Sequence, residues 1–309
     1  MDAIAVALGG NALLQKGERP SFHLQMKNVA ETARRLAAEM AKSRNGFVIT
    51  HGNGPQVGDE FLRNFYAKEK IPKLPMHALN AETQAMIGSM LELELGNELR
   101  RLGSRKRVST VLTHVIVDAK DPAFENPTKP IGPFYSKAHL KRELKVEKFH
   151  YAKIDGCYRR VVPSPRPLEI VELAEIDALA RKGDIVICCG GGGIPVFRNG
   201  KALIGAEAVV DKDSTTRLLS NSIGMRRMVI LTNVDYVYED HEAKKGEIRR
   251  ASARSLARRI SDFEDGTMKP KIEACIEFIN NGGELAQIGN LEKFGNVMAK
   301  QSGTEIRQL

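Results

Sequence analysis

Short apolar runs alternate with helical patterns along most of the chain, and this alternation limits the possible folds more than any other feature. Ala3–Leu8, 47–50 and 184–189 are predicted strands. Apolar residues at helical spacing predict helices over 24–42 and 78–102. Strand–helix–strand repeats of this kind indicate a mostly parallel sheet that is covered by helices on both faces.

The second half of the chain continues the same alternation. Residues 108–117 are predicted to form one β-branched strand, and 169–182 a helix that ends at Gly183. A hairpin is expected at Asn199-Gly200, followed by a helix that begins near Asp211. A strand over 228–232 and helices over about 252–260 and 268–280 complete the predicted order.

The segment from Asp118 to about Pro165 interrupts this rhythm. It begins with the proline-rich loop PAFENPTKPIGPFY and continues through a predicted short basic helix. Two β-like runs then flank Asp155-Gly156, which is a strong hairpin signal. We therefore expect a small subdomain that projects from the main sheet.

Three predicted strands run directly into glycines. The turns are Gly9-Gly10-Asn11, Gly52-Asn53-Gly54 and the four glycines at 190–193. In a parallel α/β sheet such turns meet at the carboxyl ends of the strands, where ligands bind. Glycine lets main-chain N–H groups approach an anion closely, and the formal net charge of +9 also favours an anionic partner. Together these features predict a site for a phosphorylated ligand.

Several familiar signatures are absent from the sequence. No glycine turn carries the Lys-Ser or Lys-Thr of a GxxxxGK[ST] loop, and the turn at Gly52 has one residue too many for GxGxxG. A serine-hydrolase elbow, an HExxH helix and the protein-kinase motifs are also missing. Tryptophan is absent and aromatic residues make up only 6%, which weakens a base-stacking platform for nucleic acid. The basic residues of 244–259 are better explained as a solvated helix face.

The cysteines indicate reduced thiols rather than a metal site. Cys188 and Cys189 are adjacent, and neither they nor Cys157 and Cys275 have a spacing suited to zinc. We therefore predict a cytoplasmic protein without a protein-held metal. Ala3–Leu8 is too short for a signal sequence or a bilayer span, so no membrane partner is expected.

Three lysines could complete a phosphate site. Lys129 lies in NPTKPIG, Lys212 in VVDKDS and Lys271 in MKPKIEA. Prolines restrict the backbone around two of them, whereas a solvated surface charge is the alternative for each. Asp211 is a candidate helix N-cap. Asp213 could instead hold Lys212 and a second lysine in place, and both interpretations stay open.

Seven strings in order resemble one known family. ALGGNALL, THGNGPQVG, NPTKPIGPFY, VVPSPRP, CCGGGGIPV, VVDKD and LTNVDYVY are similar to the carbamate kinases of the amino acid kinase superfamily, over essentially the whole chain. NPTKPIGPFY and its surrounding insert are the specific part, because superfamily relatives that act on acetylglutamate, aspartate, UMP or isopentenyl phosphate lack this lid.

The resemblance implies a single domain over 1–309 with a three-layer αβα sandwich around a mostly parallel sheet. An acid-substrate lobe at 1–183 would contain a lid subdomain at 118–165, and a nucleotide lobe would cover 184–309. The implied protein is a cytoplasmic homodimer of arginine metabolism without nucleic-acid partners.

The implied reaction is reversible phosphoryl transfer between carbamoyl phosphate and ADP, which gives ATP and carbamate. Mg²⁺ would arrive mainly on the nucleotide. Two alternatives stay open: an enzyme of the same superfamily with another acid or phosphate acceptor, and a nucleic-acid- or effector-binding regulator on the same fold.

The resemblance also assigns site residues. Lys129 would reach in from the lid, and Lys212 and Lys271 would hold the nucleotide phosphates, with Asp213 orienting them. The residues that would surround carbamoyl phosphate are Gly9, Gly10, Asn11, Gly52, Asn53 and Gly54. Those that would bind the nucleotide are Gly191, Gly192, Lys212, Asp235, Tyr238, Met268 and Lys271.

Two departures from the family pattern lie near the expected nucleotide site. Asn233 stands where the family tends to have the first Asp of LTDVD, and GTMKPK at 266–271 replaces GSMGPK. Nucleotide affinity is therefore the property that these positions most directly affect.

His51 is the candidate general base, since it precedes the second glycine turn. Carbamate already carries an anionic oxygen, so its phosphorylation needs positioning and charge neutralisation rather than proton removal. We therefore expect His51 to be a strand-end histidine that is hydrogen-bonded to the backbone.

Overall fold

The computed structural model describes residues 2–14, 21–138, 149–154, 156–240, 243–263 and 268–308. Their strands are β1 (Ala3–Leu8), β2 (Gly46–His51), β3 (Val108–Val111), β4 (His114–Val117), β5 (Lys129–Tyr135), β6 (His150–Ile154), β7 (Cys157–Val162), β8 (Pro167–Ile170), β9 (Ile185–Cys188), β10 (Ile194–Asn199), β11 (Ala202–Gly205), β12 (Arg227–Thr232), β13 (Val237–Asp240), β14 (Lys245–Ile248), β15 (Arg250–Ser252), β16 (Leu285–Asn290) and β17 (Thr304–Arg307).

The helices are α1 (Phe22–Met40), α2 (Gly54–Ala67), α3 (Met76–Arg101), α4 (Leu173–Arg181), α5 (Lys212–Ser222), α6 (Ala253–Arg258), α7 (Lys269–Asn280) and α8 (Phe294–Met298). Short 3₁₀ turns at Gly10–Ala12 and Gly190–Gly192 follow β1 and β9. In the described parts of the chain, no helix has the length and apolar character that a membrane span requires.

Eight strands form the main sheet in the order β15-β17-β16-β12-β1-β2-β9-β3. Every neighbouring pair in it is parallel except β16 and β17. Leu8 at the end of β1 lies beside His51 of β2 and Leu231 of β12, so these strands end at the same edge. The predicted mostly parallel sheet is confirmed.

Alternate side chains of the central strands β1, β2, β9 and β12 enter two different hydrophobic cores. Val6 and Leu8 pack with α1, α3 and α8 on one face, whereas Ala5 and Ala7 pack on the other face in the core that α4 to α7 complete. The strands therefore lack polar alternation, because neither face meets water. The molecule is an αβα sandwich, as predicted.

The predicted single strand over 108–117 is wrong, because the chain changes sheets at Thr113. β3 pairs with β9 in the main sheet, whereas β4 pairs with β10 and β8 in a four-stranded sheet of order β11-β10-β4-β8. The Thr113 hydroxyl donates to Val111 O at 2.7 Å and accepts from Cys189 N at 3.1 Å. A continuous β-branched run does not reveal such a break.

The predicted helix over 169–182 begins later than expected. Pro167–Ile170 forms β8 instead, and helix α4 starts only at Leu173. Glu172, between the two elements, accepts hydrogen bonds from the main-chain N and the ring Nδ1 of His114, both at 2.7 Å. This tertiary contact fixes the turn, and local propensity does not show it.

A three-stranded antiparallel sheet of order β5-β7-β6, here called the lid sheet, stands apart from the main sheet. Strands β6 and β7 pair antiparallel, with Ile154 beside Cys157, so the predicted hairpin of this segment is confirmed. The predicted short basic helix of this segment falls largely on residues 139–148, outside the described residues.

The lid sheet packs against helix α2. A Cβ built on Gly58 of α2 would lie 2.0 Å from both Cα and N of Gly132 in β5, so the two backbones are in direct contact. The Arg160 guanidinium of β7 lies 3.5 Å from the ring centroid of Phe61. Because α2 begins at the second glycine turn, this packing joins the lid sheet to that turn.

Candidate active site

The three glycine turns meet at one edge of the main sheet, as their sequence positions predict. They follow β1, β2 and β9, which are neighbours in the sheet. A cleft of about 630 Å³ opens there, and its lining includes Gly10, Gly52, Asn53, Gly54 and Gly191 from the turns. Lys129, Lys212 and Lys271 also line it, so the structure brings the predicted lysines and turns together.

The third turn is glycine because its backbone lies against a side chain. Gly191 has φ of +65°, and a Cβ built there would be 2.3 Å from Cγ of Asn53. Any other residue would combine an unfavourable backbone conformation with a steric clash. Over the second turn, Cδ of Lys212 lies 3.7 Å from the position that a Cβ on Gly52 would occupy. The lysine stem thus lies directly over the turn.

Asp213 holds two of the lysines. It lies in the first turn of α5 and is buried, and its Oδ1 accepts from Lys212 Nζ at 2.5 Å. Its Oδ2 accepts from Lys271 Nζ at 3.3 Å across the cleft, from the first turn of α7. One carboxylate therefore sets the separation of two ammonium groups, as one of the two open interpretations proposed.

The pKa values of this cluster reflect burial and mutual attraction. Burial would raise the pKa of Asp213, but Lys212 and Lys271 outweigh it and hold that pKa below its ordinary value. Burial lowers the pKa of Lys212, with Asp213 opposing the shift. Burial also acts to lower the pKa of Lys271, but Asp213 and Asp211 raise it above the ordinary lysine value. Asp213 thus opposes the loss of charge on both lysines.

Asp211 has two roles, of which the sequence revealed only the first. Its Oδ1 caps helix α5 by accepting from the main-chain N of Asp213 and Ser214 at 2.9 and 3.1 Å. Its Oδ2 forms an ion pair with Lys129 of the lid sheet. Although burial would raise it, the pKa of Asp211 is held well below its ordinary value by Lys129 and Lys212. The good N-cap signal concealed this second function.

His51 is a buried strand-end histidine, as expected. Its Nδ1 lies 3.0 Å from the main-chain oxygen of Gly52. Burial lowers the pKa of His51 to about 4, with the Gly52 contact opposing the shift and Lys212 adding to it. The ring is therefore neutral near pH 7 and is not exposed to the cleft as a base.

Other predicted site residues lie outside the lining of this cleft. Asp235, after β12, accepts from Asn290 Nδ2 at 2.9 Å and Lys293 Nζ at 2.7 Å. Tyr238 is buried in β13, and Met268 directly precedes the helix that carries Lys271.

Two predicted glycines support the cleft from behind. Gly9 N donates to Leu231 O at 2.9 Å and so joins the first turn to β12. Gly192 O accepts from Thr215 Oγ1 at 2.9 Å, which joins the third turn to α5. Asn11 lies in the 3₁₀ turn after β1. Of the two departures from the family pattern, Asn233 lies next to Thr232, and residues 266–267 lie outside the described residues.

The acidic residues do not form a metal cage. Among the described residues, no group of three or more His, Cys, Asp or Glu side chains is placed to hold a metal ion. Asp211 and Asp213 both face lysines, and the remaining carboxylate of the cleft lining, Glu273, is exposed.

The fold and the site together match a known class of enzymes. The model of the amino acid kinase family matches residues 2–290, which is most of the chain. The chain therefore belongs to the amino acid kinase family.

Full-length relatives narrow this class. The chain is 41% identical to carbamate kinase from Pyrococcus horikoshii over 99% of both chains. Its structure matches that of carbamate kinase from Giardia lamblia bound to citric acid with a TM-score of 0.94, at 34% identity over 100% of this chain and 99% of the other. The Giardia lamblia enzyme bound to AMP-PNP matches with a TM-score of 0.88 at the same identity and coverage. Within the amino acid kinase family, the chain belongs with the carbamate kinases.

Proposed function

We propose that the protein catalyses reversible transfer of a phosphoryl group between carbamoyl phosphate and ADP, giving ATP and carbamate. The observation that carries this proposal is the pair Lys212 and Lys271, held 2.5 and 3.3 Å from one buried carboxylate in a cleft lined by glycine turns. A full-length relative at 41% identity bears the name carbamate kinase, which supports carbamate as the substrate.

The chemistry of the transfer follows from this arrangement. The phosphoryl group in flight carries negative charge on its oxygens, and two fixed ammonium groups stabilise that charge without reorganising. Gly52 and Gly54 allow main-chain atoms to approach the phosphate closely. Carbamate attacks through an oxygen that is already anionic, so the neutral, buried His51 need not remove a proton.

Lys129 would act from the lid. Its ammonium group pairs with Asp211 across the cleft, between the lid sheet and the start of α5. A substrate phosphate or carboxylate can take over this ammonium group, which would draw the lid sheet over the substrate and exclude water. Asp211 would then remain as the helix cap.

The nucleotide is proposed to bring the metal. The two most buried carboxylates of the cleft are engaged by lysines, which leaves the phosphate oxygens of ADP or ATP as the main ligands for Mg²⁺. The nucleotide is proposed to extend from Lys212 and Lys271 toward Gly191, Gly192, Asp235, Tyr238 and Met268. The AMP-PNP complex of the Giardia lamblia relative supports an ATP-type ligand.

Three broader properties are proposed from the resemblance alone. These are a homodimeric assembly, a place in arginine metabolism and a cytoplasmic location. The substrates are small molecules, and neither a membrane nor a nucleic acid is proposed as a partner.

An acceptor panel tests the proposed substrate. With MgATP as donor, carbamate should be phosphorylated, whereas acetylglutamate, aspartate, UMP and isopentenyl phosphate should not. If the enzyme turns over one of these four in preference to carbamate, that acceptor is the substrate instead. If neither carbamate nor any of these four is turned over, a salt titration of RNA binding tests the regulator alternative, which requires a steep log–log slope.

A further inference from the structure

Asn53, in the second glycine turn, ends a chain of buried hydrogen bonds that starts on helix α3. Asn53 is 2% exposed, and its partners Asn80 and Thr83 are 0% and 1% exposed. Its Nδ2 lies 3.0 Å from Asn80 Oδ1 and 3.0 Å from Thr83 Oγ1. The turn is therefore supported by polar side chains that do not themselves line the cleft.

Asn80 fixes the direction of the first bond. Its Nδ2 donates to the main-chain oxygens of Met76 at 3.2 Å and Ala208 at 2.9 Å. Both hydrogens of that nitrogen are thereby used, and Asn80 Oδ1 can only accept. The group that faces it on Asn53 must be the NH₂ group.

Thr83 fixes the second bond. Its hydroxyl donates to Leu79 O at 2.8 Å, so its oxygen is free to accept from Asn53 Nδ2. Both amide hydrogens of Asn53 are then committed to α3. Its Oδ1 remains as an acceptor, and the hydrogen bonds of the described residues include none to this atom.

The amide of Asn53 is also held from its other side. The Gly191 backbone lies against it so closely that a Cβ there would be 2.3 Å from Nδ2 and 2.5 Å from Oδ1. Asn53 lines the cleft between Gly52 and Gly54. The chain thus places a preorganised hydrogen-bond acceptor in the cleft, where Asp211 and Asp213 face lysines and the third carboxylate of the lining, Glu273, is exposed.

We propose that Asn53 Oδ1 accepts a hydrogen bond from the amino group of carbamoyl phosphate, and that this bond selects carbamoyl phosphate over acyl phosphates. This inference rests on the proposed function. The lysines can pair with phosphate and carboxyl oxygens, but an amino group needs an acceptor, and Asp211 and Asp213 already face lysines. Acetyl phosphate has a methyl group in place of the amino group, so it would leave the acceptor unpaired.

Thr83 is a positioning residue in this scheme, and Thr83→Val tests it from outside the cleft. Valine has nearly the same shape but cannot accept a bond, so the Asn53 amide loses one of the two hydrogen bonds that hold its orientation and keeps only the bond to Asn80. We expect kcat/KM for carbamoyl phosphate to fall about tenfold, which corresponds to about 1.4 kcal/mol, while kcat/KM for acetyl phosphate changes less than about threefold. Asn53→Ala removes the acceptor itself. It should also lower the ratio of kcat/KM for carbamoyl phosphate to kcat/KM for acetyl phosphate.

Two controls separate positioning from stability. Thr83→Ser keeps the hydroxyl and should restore the wild-type ratio of the two kcat/KM values. Thr110→Val removes a buried hydroxyl of β3 that has no hydrogen-bond partner among the described residues, and it should leave the ratio unchanged.

The outcomes are distinguishable. An unchanged ratio in Thr83→Val and Asn53→Ala, with a wild type that makes ATP from carbamoyl phosphate, overturns this inference and leaves the proposed function intact. A wild type that does not use carbamoyl phosphate overturns both. A lower ratio in both variants, with rescue by serine, supports the inference.

Discussion

Asp213 determines how the charged side of the cleft is arranged at the scale of single residues. A buried lysine without a partner tends to lose its proton, because low polarity disfavours the charged form. Each Asp213 oxygen faces one ammonium group and opposes that loss: the pKa of Lys271 is held above its ordinary value, whereas burial keeps the pKa of Lys212 below it. Since either lysine touches only one oxygen, each can be removed separately.

Lys212→Met and Lys271→Met should each lower kcat by about 10²–10³-fold, the scale for losing one preorganised electrostatic group. Steady-state ATP formation measures the effect, and circular dichroism checks the fold. Lys201→Met changes an exposed lysine between β10 and β11 and should leave kcat unchanged. A near-normal kcat in either test variant would make that lysine an ordinary surface charge.

Lys129→Ala should damage carbamoyl phosphate use more than ADP binding, because the lysine reaches the cleft from the lid sheet. We expect KM for carbamoyl phosphate to rise or kcat to fall at least about tenfold. The Kd for ADP, measured by calorimetry, should stay within about threefold. Lys153→Ala, on the exposed side of the same sheet, is the matched control. Equal losses for both substrates would place Lys129 at the nucleotide instead.

His51 should make the folded state less stable in acid. Burial lowers its pKa to about 4, whereas the unfolded chain titrates near 6.5, so the unfolded state binds the proton first as pH falls. Its contribution is complete above pH 6.5 and is lost between there and about pH 4, by up to about 3 kcal/mol. Urea unfolding from pH 7 to 4.5 measures this loss. His51→Gln should flatten the dependence, and an unchanged slope would mean that other groups cause it.

At the scale of elements, the sequence predicted the parts that local periodicity controls. Ala3–Leu8 forms the predicted strand, and the glycine turns meet where parallel strands end. The sheet change at Thr113 was missed because its cause is a set of hydrogen bonds to distant residues. Likewise, Glu172 ends β8 through contacts with His114 that no window of neighbouring residues contains.

The candidate site could be predicted where its residues are close together in the sequence, and not where they are far apart. Lys212 and Asp213 are neighbours in the chain, so their pairing could be proposed from sequence. The ion pair of Lys129 with Asp211 joins positions 82 residues apart and needed the structure. The buried hydrogen bonds from Asn53 to Asn80 and Thr83 of α3 also join separate elements, and no sequence motif indicates them.

Gly58→Ala should separate helix α2 from the lid sheet. Its Cβ would lie 2.0 Å from backbone atoms of Gly132, so the lid sheet must shift. We expect a stability loss of about 1–3 kcal/mol and a lower kcat/KM for carbamoyl phosphate. Gly96→Ala on α3 meets only the flexible end of Arg100, and it should stabilise the helix by up to about 1 kcal/mol. Equal behaviour of the two variants in denaturation and activity would exclude the proposed contact.

At the scale of the whole molecule, the parallel sheet converts three separate sequence turns into one site. β1, β2 and β9 lie side by side, so turns at residues 9, 52 and 190 line a single cleft. Helices α5 and α7 then bring Lys212 and Lys271 to it from the opposite half of the chain. The lid sheet adds Lys129 from outside the sandwich.

The central claim is phosphoryl transfer from carbamoyl phosphate to ADP, and ATP formation from these two substrates tests it most directly. We predict one ATP per carbamoyl phosphate consumed with Mg²⁺ present, no ATP in EDTA, and full recovery when Mg²⁺ is restored. The thermal midpoint of the ligand-free protein should hardly change in EDTA, because the metal would arrive on the nucleotide. Absence of ATP formation with Mg²⁺, both substrates and folded protein would contradict the account.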